Sequence, residues 1–201
     1  MKSNPFQPLP ESVVVDGVSY PINYDFRMGV AIETEILSDD KPDVYGLLFD
    51  FYKGNIPRNV DEAVNKMVWF YGCGAQDNGD KRTEDTKGGR QYDFDMDADV
   101  LLASFYTAYG IDLSTASIHW FAFRRLMLNL PADTPFMDRV KYRVADLKKL
   151  GKEERKHYKK MQQKYAIKKR QVHMTVEERD AALLEKIKRR YEEAQNATES
   201  Q

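Results

Sequence analysis

The chain has 201 residues, 42% of them apolar and 12% aromatic, which is enough to build a hydrophobic core. No apolar run reaches the roughly 18 residues that a membrane span needs, and the first residues lack the apolar stretch of a signal peptide, so we expect no membrane association. Cys73 is the only cysteine, which excludes an intrachain disulfide and fits the reducing cytoplasm.

The net charge of -1 conceals an asymmetry along the chain. From Arg139 to Gln201 there are 19 basic and 10 acidic residues, a balance of +9, so the remainder carries -10. Two interpretations fit a basic tail on an acidic body. The tail is either a solvated helix laced with salt bridges or a docking arm for an acidic partner.

The first elements predicted are a β-hairpin and a helix. β-branched residues surround Asp16-Gly17, a dipeptide that suits the two positive φ angles of a type I′ turn. Asn23 or Asp25 is expected to cap a helix that runs to about Leu37. Its predicted inward side chains are Phe26, Val30 and Leu37.

Two further helices are predicted before residue 75. One follows Pro42 and runs to about Lys53, with an inward stripe of Val44, Leu47, Leu48 and Phe51. The next is capped by Asn59, and Glu62 completes a capping box. Its predicted apolar stripe contains Val60, Val64, Met67, Val68 and Tyr71. Residues 76–90 contain no large apolar side chain and three glycines, which predicts a mobile surface loop.

Three more helices are predicted between residues 95 and 150. Asp95 or Asp97 should open the fourth, with Leu101, Phe105 and Tyr109 inward, and Ser114 or Thr115 should open the fifth, over residues 116–130. Thr134 and Pro135 should begin the sixth, with Phe136, Val140, Val144 and Leu147 facing the core.

The remaining residues predict a charged helical tail. Residues 152–170 place Tyr158, Met161 and Tyr165 on one face, and Thr175 and Glu178 form a capping box before a last helix. The apolar stripe of that helix is Leu183, Leu184, Ile187 and Tyr191. The whole pattern predicts a mainly α fold: a compact multi-helix domain over residues 9–150 with a small N-terminal hairpin, then a basic helical extension over residues 151–201.

No constellation of side chains predicts catalysis, a metal or a cofactor. Aspartates alternate at positions 93, 95, 97 and 99, but a calcium loop counted from Asp93 would need Gly and Glu where Ala98 and Ser104 stand. Helix capping by these carboxylates is the better interpretation. A thiol–imidazole pair of Cys73 and His119 is weighed against a buried cysteine and a surface histidine, which we favour.

Nucleic-acid binding is the main alternative to a protein partner. Residues 148–170 are basic, and Tyr158 and Tyr165 interleave the charges as stacking residues do. The sequence pI of about 6.3 disfavours it, because a nucleic-acid module is usually clearly basic.

The segment from Ile118 to Leu147 is unusually apolar. Trp120 and Phe123 lie beside an Arg124-Arg125 pair, so the segment should be buried in the domain or against a partner. The arginines are expected either to clamp the fifth helix to Tyr142, Arg143 or Asp146 on the sixth, or to bind a partner.

Several stretches, taken in order, also carry a family resemblance. They are Leu9 to Arg27, Trp69 to Gly74, Tyr92 to Asp99, Phe105 to Leu113, Ile118 to Leu126 and Lys141 to Leu147. Together they resemble the bacteriophage gene-product-fifteen family, encoded in the tail-morphogenesis region of phages and prophages of Gram-positive bacteria. Family members often have a second tryptophan where Phe121 stands.

The resemblance implies a non-enzymatic tail assembly factor that acts in the host cytoplasm as a chaperone for the tape-measure protein and is absent from the mature virion. A structural tail component retained in the virion and a nucleic-acid-binding regulator remain alternatives, and self-association stays open. An amphipathic client helix would lie in an apolar groove. The residues expected to bind it are Trp120, Phe123, Arg124, Leu184, Ile187 and Tyr191.

Overall fold

A computed structural model describes residues 7–37, 43–74 and 91–167, and these confirm the predicted mainly α fold with an N-terminal hairpin. The strands are β1 (Ser12–Val15) and β2 (Val18–Pro21). The α-helices are α1 (Phe26–Ile36), α2 (Val44–Phe51), α3 (Val60–Tyr71), α4 (Phe94–Tyr109), α5 (Trp120–Leu128), α6 (Pro135–Val144) and α7 (Lys152–Lys164), with a short 3-10 helix at Leu147–Lys149.

The described residues form two compact units, and the boundary between them falls inside α5. The first unit contains residues 7–37, 43–74 and 118–124, and the second contains residues 91–117 and 125–167. The predicted loop at 76–90 and the tail from residue 168 lie outside the described residues. The predicted domain boundary near residue 150 therefore stays a prediction.

In the first unit, the hairpin has the predicted turn. Asp16 and Gly17 have φ angles of 47° and 76°, as a type I′ turn requires, and β1 pairs antiparallel with β2. Val13 and Val15 are buried, whereas Val14 and Val18 are exposed. The hairpin therefore presents one face to the core and leaves an apolar outer face.

The first three helices begin where short polar side chains cap them. Asp25 rather than Asn23 caps α1 by accepting from the Arg27 amide, Asp43 caps α2, and Asn59 caps α3 by accepting from Glu62. The predicted inward stripe of α2 is confirmed at all four positions.

The inward faces of α1 and α3 differ in part from the predictions. In α1, Phe26 and Leu37 are buried but Val30 is only half-buried, because Met28 and Ile32 occupy the core instead. In α3, Val60, Val68 and Tyr71 are half-buried, and the helix turns Ala63, Val64, Met67 and Phe70 inward. The buried face of each helix is rotated slightly from its predicted stripe. The elements packed against the helix, and not the apolar period alone, decide which of its side chains are covered.

In the second unit, the start of α4 corrects two predictions. Asp93 caps the helix by accepting from the amides of Asp95 and Met96, so neither Asp95 nor Asp97 is the cap. Gly110 ends the helix with a φ of 65°, a left-handed conformation that glycine adopts without strain. Leu101 and Phe105 are buried, and Tyr109 is half-buried with its hydroxyl donating to the carbonyl of Leu126.

The start of α5 differs from expectation, whereas α6 begins at Pro135 directly after Thr134, as predicted. α5 begins at Trp120 and not at Ala116. Residues 112–116 form a separate turn, in which Asp112 accepts hydrogen bonds from the amides of Ser114, Thr115 and Ala116. Thr134 precedes α6, but its hydroxyl donates to the carbonyl of Pro131 and makes no cap hydrogen bond.

The predicted core face of α6 is largely wrong. Phe136 is buried, and its amide donates to the hydroxyl of Ser104 on α4. Val140 is half-buried, Val144 is 40% exposed, and Leu147 lies in the 3-10 helix after α6 has ended. Only the first turn of α6 contributes to the apolar core, because its later turns contact other elements through polar and aromatic side chains.

A buried ion pair joins α6 to α4. Asp97 has no exposed surface, and its carboxylate accepts from Arg139 at 3.0 Å, from two nitrogens of Arg143 at 2.5 and 2.9 Å, and from the Asp93 amide at 3.0 Å. Burial raises the pKa of Asp97, but the hydrogen bonds from Arg143, Asp93 and Arg139 outweigh it, so the pKa lies below its ordinary value of 3.8.

Arg143 also holds the end of α7. Its Nε donates to the carbonyl of Tyr165 at 2.7 Å, while one terminal nitrogen donates to the carbonyl of Gln91. The Tyr142 ring contacts those of Tyr158 and Tyr165. Tyr158, Met161 and Tyr165 are half-buried on one face, as predicted. Arg143 thus connects the segment before α4, α4 itself and the end of α7.

We expect Asp97→Asn to destabilise the protein by about 3 to 5 kcal/mol, because it leaves a buried arginine without a counter-charge. Asp99→Asn, an exposed neutralisation on the same helix, should change the free energy of unfolding by less than about 0.5 kcal/mol. Urea denaturation followed by circular dichroism measures both.

The same pair predicts how stability depends on pH. Because the folded-state pKa of Asp97 is depressed, its contribution is present above pH 3.8 and is lost as the pH falls through the folded value. The difference in the free energy of unfolding between wild type and Asp97→Asn should therefore narrow below about pH 4. A difference that stays constant down to pH 2 would contradict the ionic role.

Candidate functional site

The residues predicted to bind a partner fall into two groups. Trp120 and Phe123 are 0% exposed in the core of the first unit, and Arg124 is half-buried with its guanidinium carbon 5.5 Å from the centroid of the Trp120 ring. Leu184, Ile187 and Tyr191 lie outside the described residues. The structure therefore places Trp120, Phe123 and Arg124 together and leaves their predicted role in partner binding a prediction.

Trp120 is positioned by a short backbone bridge. The amide of Phe26 donates to the carbonyl of Ile118, and the amide of Trp120 donates to the carbonyl of Tyr24, both at 2.8 Å. Asp25 and His119 lie at the centre of this antiparallel bridge. The starts of α1 and α5 are thus joined by main-chain hydrogen bonds that any sequence at these positions could make.

Side chains around the bridge form an aromatic stack. Trp120 stacks on Tyr71 and on Phe123, and Phe123 stacks on Phe26 with ring centroids 4.6 Å apart. The indole Nε1 donates to the carbonyl of Tyr71 at 2.8 Å, which satisfies the one polar atom of the ring.

Gly29 makes room for the indole. A Cβ atom at this position would lie 2.1 Å from Cδ2 of Trp120, far inside van der Waals contact. A glycine inside a helix costs roughly 0.5 to 1 kcal/mol relative to alanine. Glycine is nevertheless required here, because only a residue without a side chain lets the backbone of α1 lie against the indole face.

His119 is a structural residue. The amide of Phe121 donates to its Nδ1 at 3.0 Å, so Nε2 carries the proton and donates to the carbonyl of Pro10 at 2.9 Å. The ring also stacks on Tyr24. Both ring nitrogens are therefore used in holding the start of α5, which corrects the expectation of a histidine on a helix surface.

Tyr142, Arg143 and Asp146 are the residues predicted to contact the Arg124-Arg125 pair of α5. Each of them contacts another element. Arg143 binds Asp97 on α4, Tyr142 contacts α7, and the carboxylate of Asp146 accepts from the Lys148 amide. A buried aspartate on α4 thus holds Arg143, and the expected clamp of the fifth helix onto these residues stays a prediction.

Sequence reasoning missed an exposed apolar face on α2. Tyr45 is 62% exposed and Phe49 is 50% exposed, whereas the opposite side of the same helix is buried. The signal was present, since Tyr45 and Phe49 are spaced i and i+4 outside the inward stripe. We call Tyr45 and Phe49 the α2 outer face.

A helix that is apolar on both sides is usually covered on both sides. Asp50 is the only charged residue within α2. The exposed valines of the hairpin, Val14 and Val18, add apolar surface to the same unit. This unit therefore offers apolar side chains to a partner without exposing its aromatic core.

Two features are absent from residues 7–37, 43–74 and 91–167. Those residues contain no group of three His, Cys, Asp or Glu side chains placed to hold a metal ion. None of their helices is long and apolar enough to cross a membrane.

We expect Gly29→Ala to lower the free energy of unfolding by about 1 to 3 kcal/mol, because overpacking outweighs the gain in helix propensity. Repeating the substitution in a Trp120→Leu background should give a much smaller loss, since the ring that the new methyl group meets is gone. Chemical denaturation of the four proteins measures this coupling. An equal loss in both backgrounds would show that the contact is not the cause.

Comparison with known proteins gave one family match. Residues 6–167 match the family described as Bacteriophage Gp15 protein, and this range contains all of the described residues and most of the chain. No curated protein and no solved structure matched. Because the match covers well over half of its length, the chain belongs to the Bacteriophage Gp15 protein family.

Proposed function

We propose that this protein is a non-enzymatic phage tail assembly factor, a chaperone that binds the tape-measure protein before the tail tube polymerises around it. Family membership supports a phage role. The observation that carries the binding role is the α2 outer face, where two aromatic side chains are exposed on a helix whose other side is fully buried.

The physical task fits that surface. A tape-measure protein is a long helical chain whose apolar faces aggregate when they are exposed. An apolar stripe on such a helix would cover Tyr45 and Phe49, removing apolar surface of both partners from water. Because only a few side chains are involved, the contact would be weak enough to be displaced by tube subunits.

The buried polar groups are held by hydrogen bonds within the protein. In the described part of the chain, every buried side-chain nitrogen or oxygen has a hydrogen-bond partner. Tyr52 donates to the carbonyl of Ala63, and burial together with the charge of Glu62 raises its pKa, so the phenol stays protonated. The Tyr71 hydroxyl donates to the buried carboxylate of Glu33. These groups serve the fold.

The proposal places the protein in the host cytoplasm during assembly and outside the finished particle. Tagged protein purified from phage-producing cells should carry the tape-measure protein, identified by mass spectrometry, and purified virions should lack this chain. Recovery of tube or baseplate proteins, with the chain present in virions, would make it a structural tail component instead.

We expect the double substitution Tyr45→Gln and Phe49→Gln to reduce the fraction of co-expressed tape-measure protein that stays soluble. The substitutions remove the exposed aromatic surface and leave the inward stripe of α2 unchanged. The soluble fraction is measured by centrifugation and quantitative blotting.

A matched control is available on the second unit. Tyr106 and Leu128 are 66% and 61% exposed, so Tyr106→Gln with Leu128→Gln removes comparable apolar surface elsewhere. The control should keep the client soluble. If both variants act alike at equal melting temperature, the α2 outer face is not the binding surface.

The predicted tail contacts are tested separately. Leu184→Gln, Ile187→Gln and Tyr191→Gln together should weaken recovery of the tape-measure protein if the amphipathic tail contributes to binding. Unchanged recovery, with the α2 variant still defective, would restrict the client contact to the first unit.

A further inference from the structure

The outward side of α7 is mostly basic, with Gln163 as an uncharged residue within it. At about 100° per residue, Lys152, Arg155, Lys156, Lys159 and Lys160 fall within an arc of roughly 140° on the helix surface. All five are exposed. We call these five residues the cationic face. By the same geometry Glu154 lies on the opposite side of the helix, and Glu153 borders the face beside Lys160.

The opposite side of α7 is held against its own unit. Tyr158, Met161, Gln162 and Tyr165 are half-buried. Gln162 donates to the carbonyl of Ala145 at 2.9 Å, and Arg143 donates to the carbonyl of Tyr165 at 2.7 Å. The cationic face is therefore displayed on a helix whose rotation is set by contacts at its far side.

The charges of this face are not neutralised within the described residues. Lys152, Lys156, Lys159 and Lys160 have no ion-pair partner there, and Arg155 donates to a backbone carbonyl of Leu150. Over residues 135–167 there are 11 basic and 4 acidic residues. Concentrating like charge costs stability through repulsion, so a partner that supplies the opposite charge would stabilise this surface.

We propose that the cationic face binds an acidic helical segment of a protein partner. Lys152, Lys156 and Lys160 are spaced i, i+4 and i+8, so their side chains repeat about every 6 Å along the helix. Glutamates or aspartates at i and i+4 on a partner helix repeat at the same distance, which lets successive ion pairs form in register. This proposal does not depend on the partner being the tape-measure protein.

A nucleic acid fits the observations less well. Tyr158 and Tyr165 pack on the Tyr142 ring at the inner side of α7, so the cationic face itself presents no aromatic ring for stacking on bases. The chain as a whole has a net charge of -1, so it does not attract a long polyanion over distance. A short acidic segment meets only the cationic face.

The test uses the full-length protein and two fluorescent probes. One is a helical peptide of about 20 residues with glutamates at i and i+4, and the other is a short DNA duplex. Binding is followed by fluorescence anisotropy at about 0.15 M salt. Lys152→Gln with Lys156→Gln and Lys160→Gln removes the three charges of the face that are in register. Lys141→Gln with Lys148→Gln and Lys149→Gln removes three exposed charges from the same unit but from outside the face.

We expect the peptide to bind wild type, with affinity falling about tenfold or more in the face variant, which loses three ion pairs, and changing little in the control. Equal losses in the two variants would show charge attraction without a site and overturn the proposal. Tighter binding of the duplex than of the peptide, lost in the face variant, would assign the face to nucleic acid. If the peptide binds neither at physiological salt nor at low salt, the proposal is also overturned.

Discussion

The first unit depends on the contact between the Trp120 indole and the backbone of α1. Two main-chain hydrogen bonds join residues 24–26 to residues 118–120, which lie far apart in the chain. They place the indole directly on Gly29, where no side chain is present to hold it off. The aromatic stack, the indole hydrogen bond to Tyr71 and the position of His119 all follow from this placement. The aromatic segment that looks like a binding helix is therefore a core element.

The second unit relies on a different interaction. Asp97 is buried, and its charge is balanced by Arg139 and Arg143. A buried ion pair adds little net stability compared with apolar packing, but it is costly to break and is specific in geometry. Here it directs α6 towards α4, and the remaining donors of Arg143 hold the end of α7. One salt-bridged side chain thereby sets which side of α7 faces solvent.

The two units present surfaces of different chemistry. The α2 outer face is apolar and suits an apolar stripe on another helix, whereas the cationic face of α7 suits carboxylates. Apolar contacts supply affinity with little directional preference, and ion pairs in register add selectivity and respond to salt. In the proposed function, two such surfaces would let competing subunits displace the partner in separate steps.

The sequence by itself determined the elements whose signals are local. The type I′ turn at Asp16-Gly17, the cap at Asn59, the inward stripe of α2 and the glycine that ends α4 are each dictated by backbone sterics or by hydrogen bonds within a few residues. Only the tertiary structure decided whether the side chains of Asp97, Trp120 and Val144 are buried or exposed. An aspartate near a helix start predicts a cap equally well at position 93 or 97, and only the distant arginines select the buried one. Apolar periodicity shows that a side chain can be buried, but whether it is depends on which surfaces meet, and those contacts join residues widely separated in the chain.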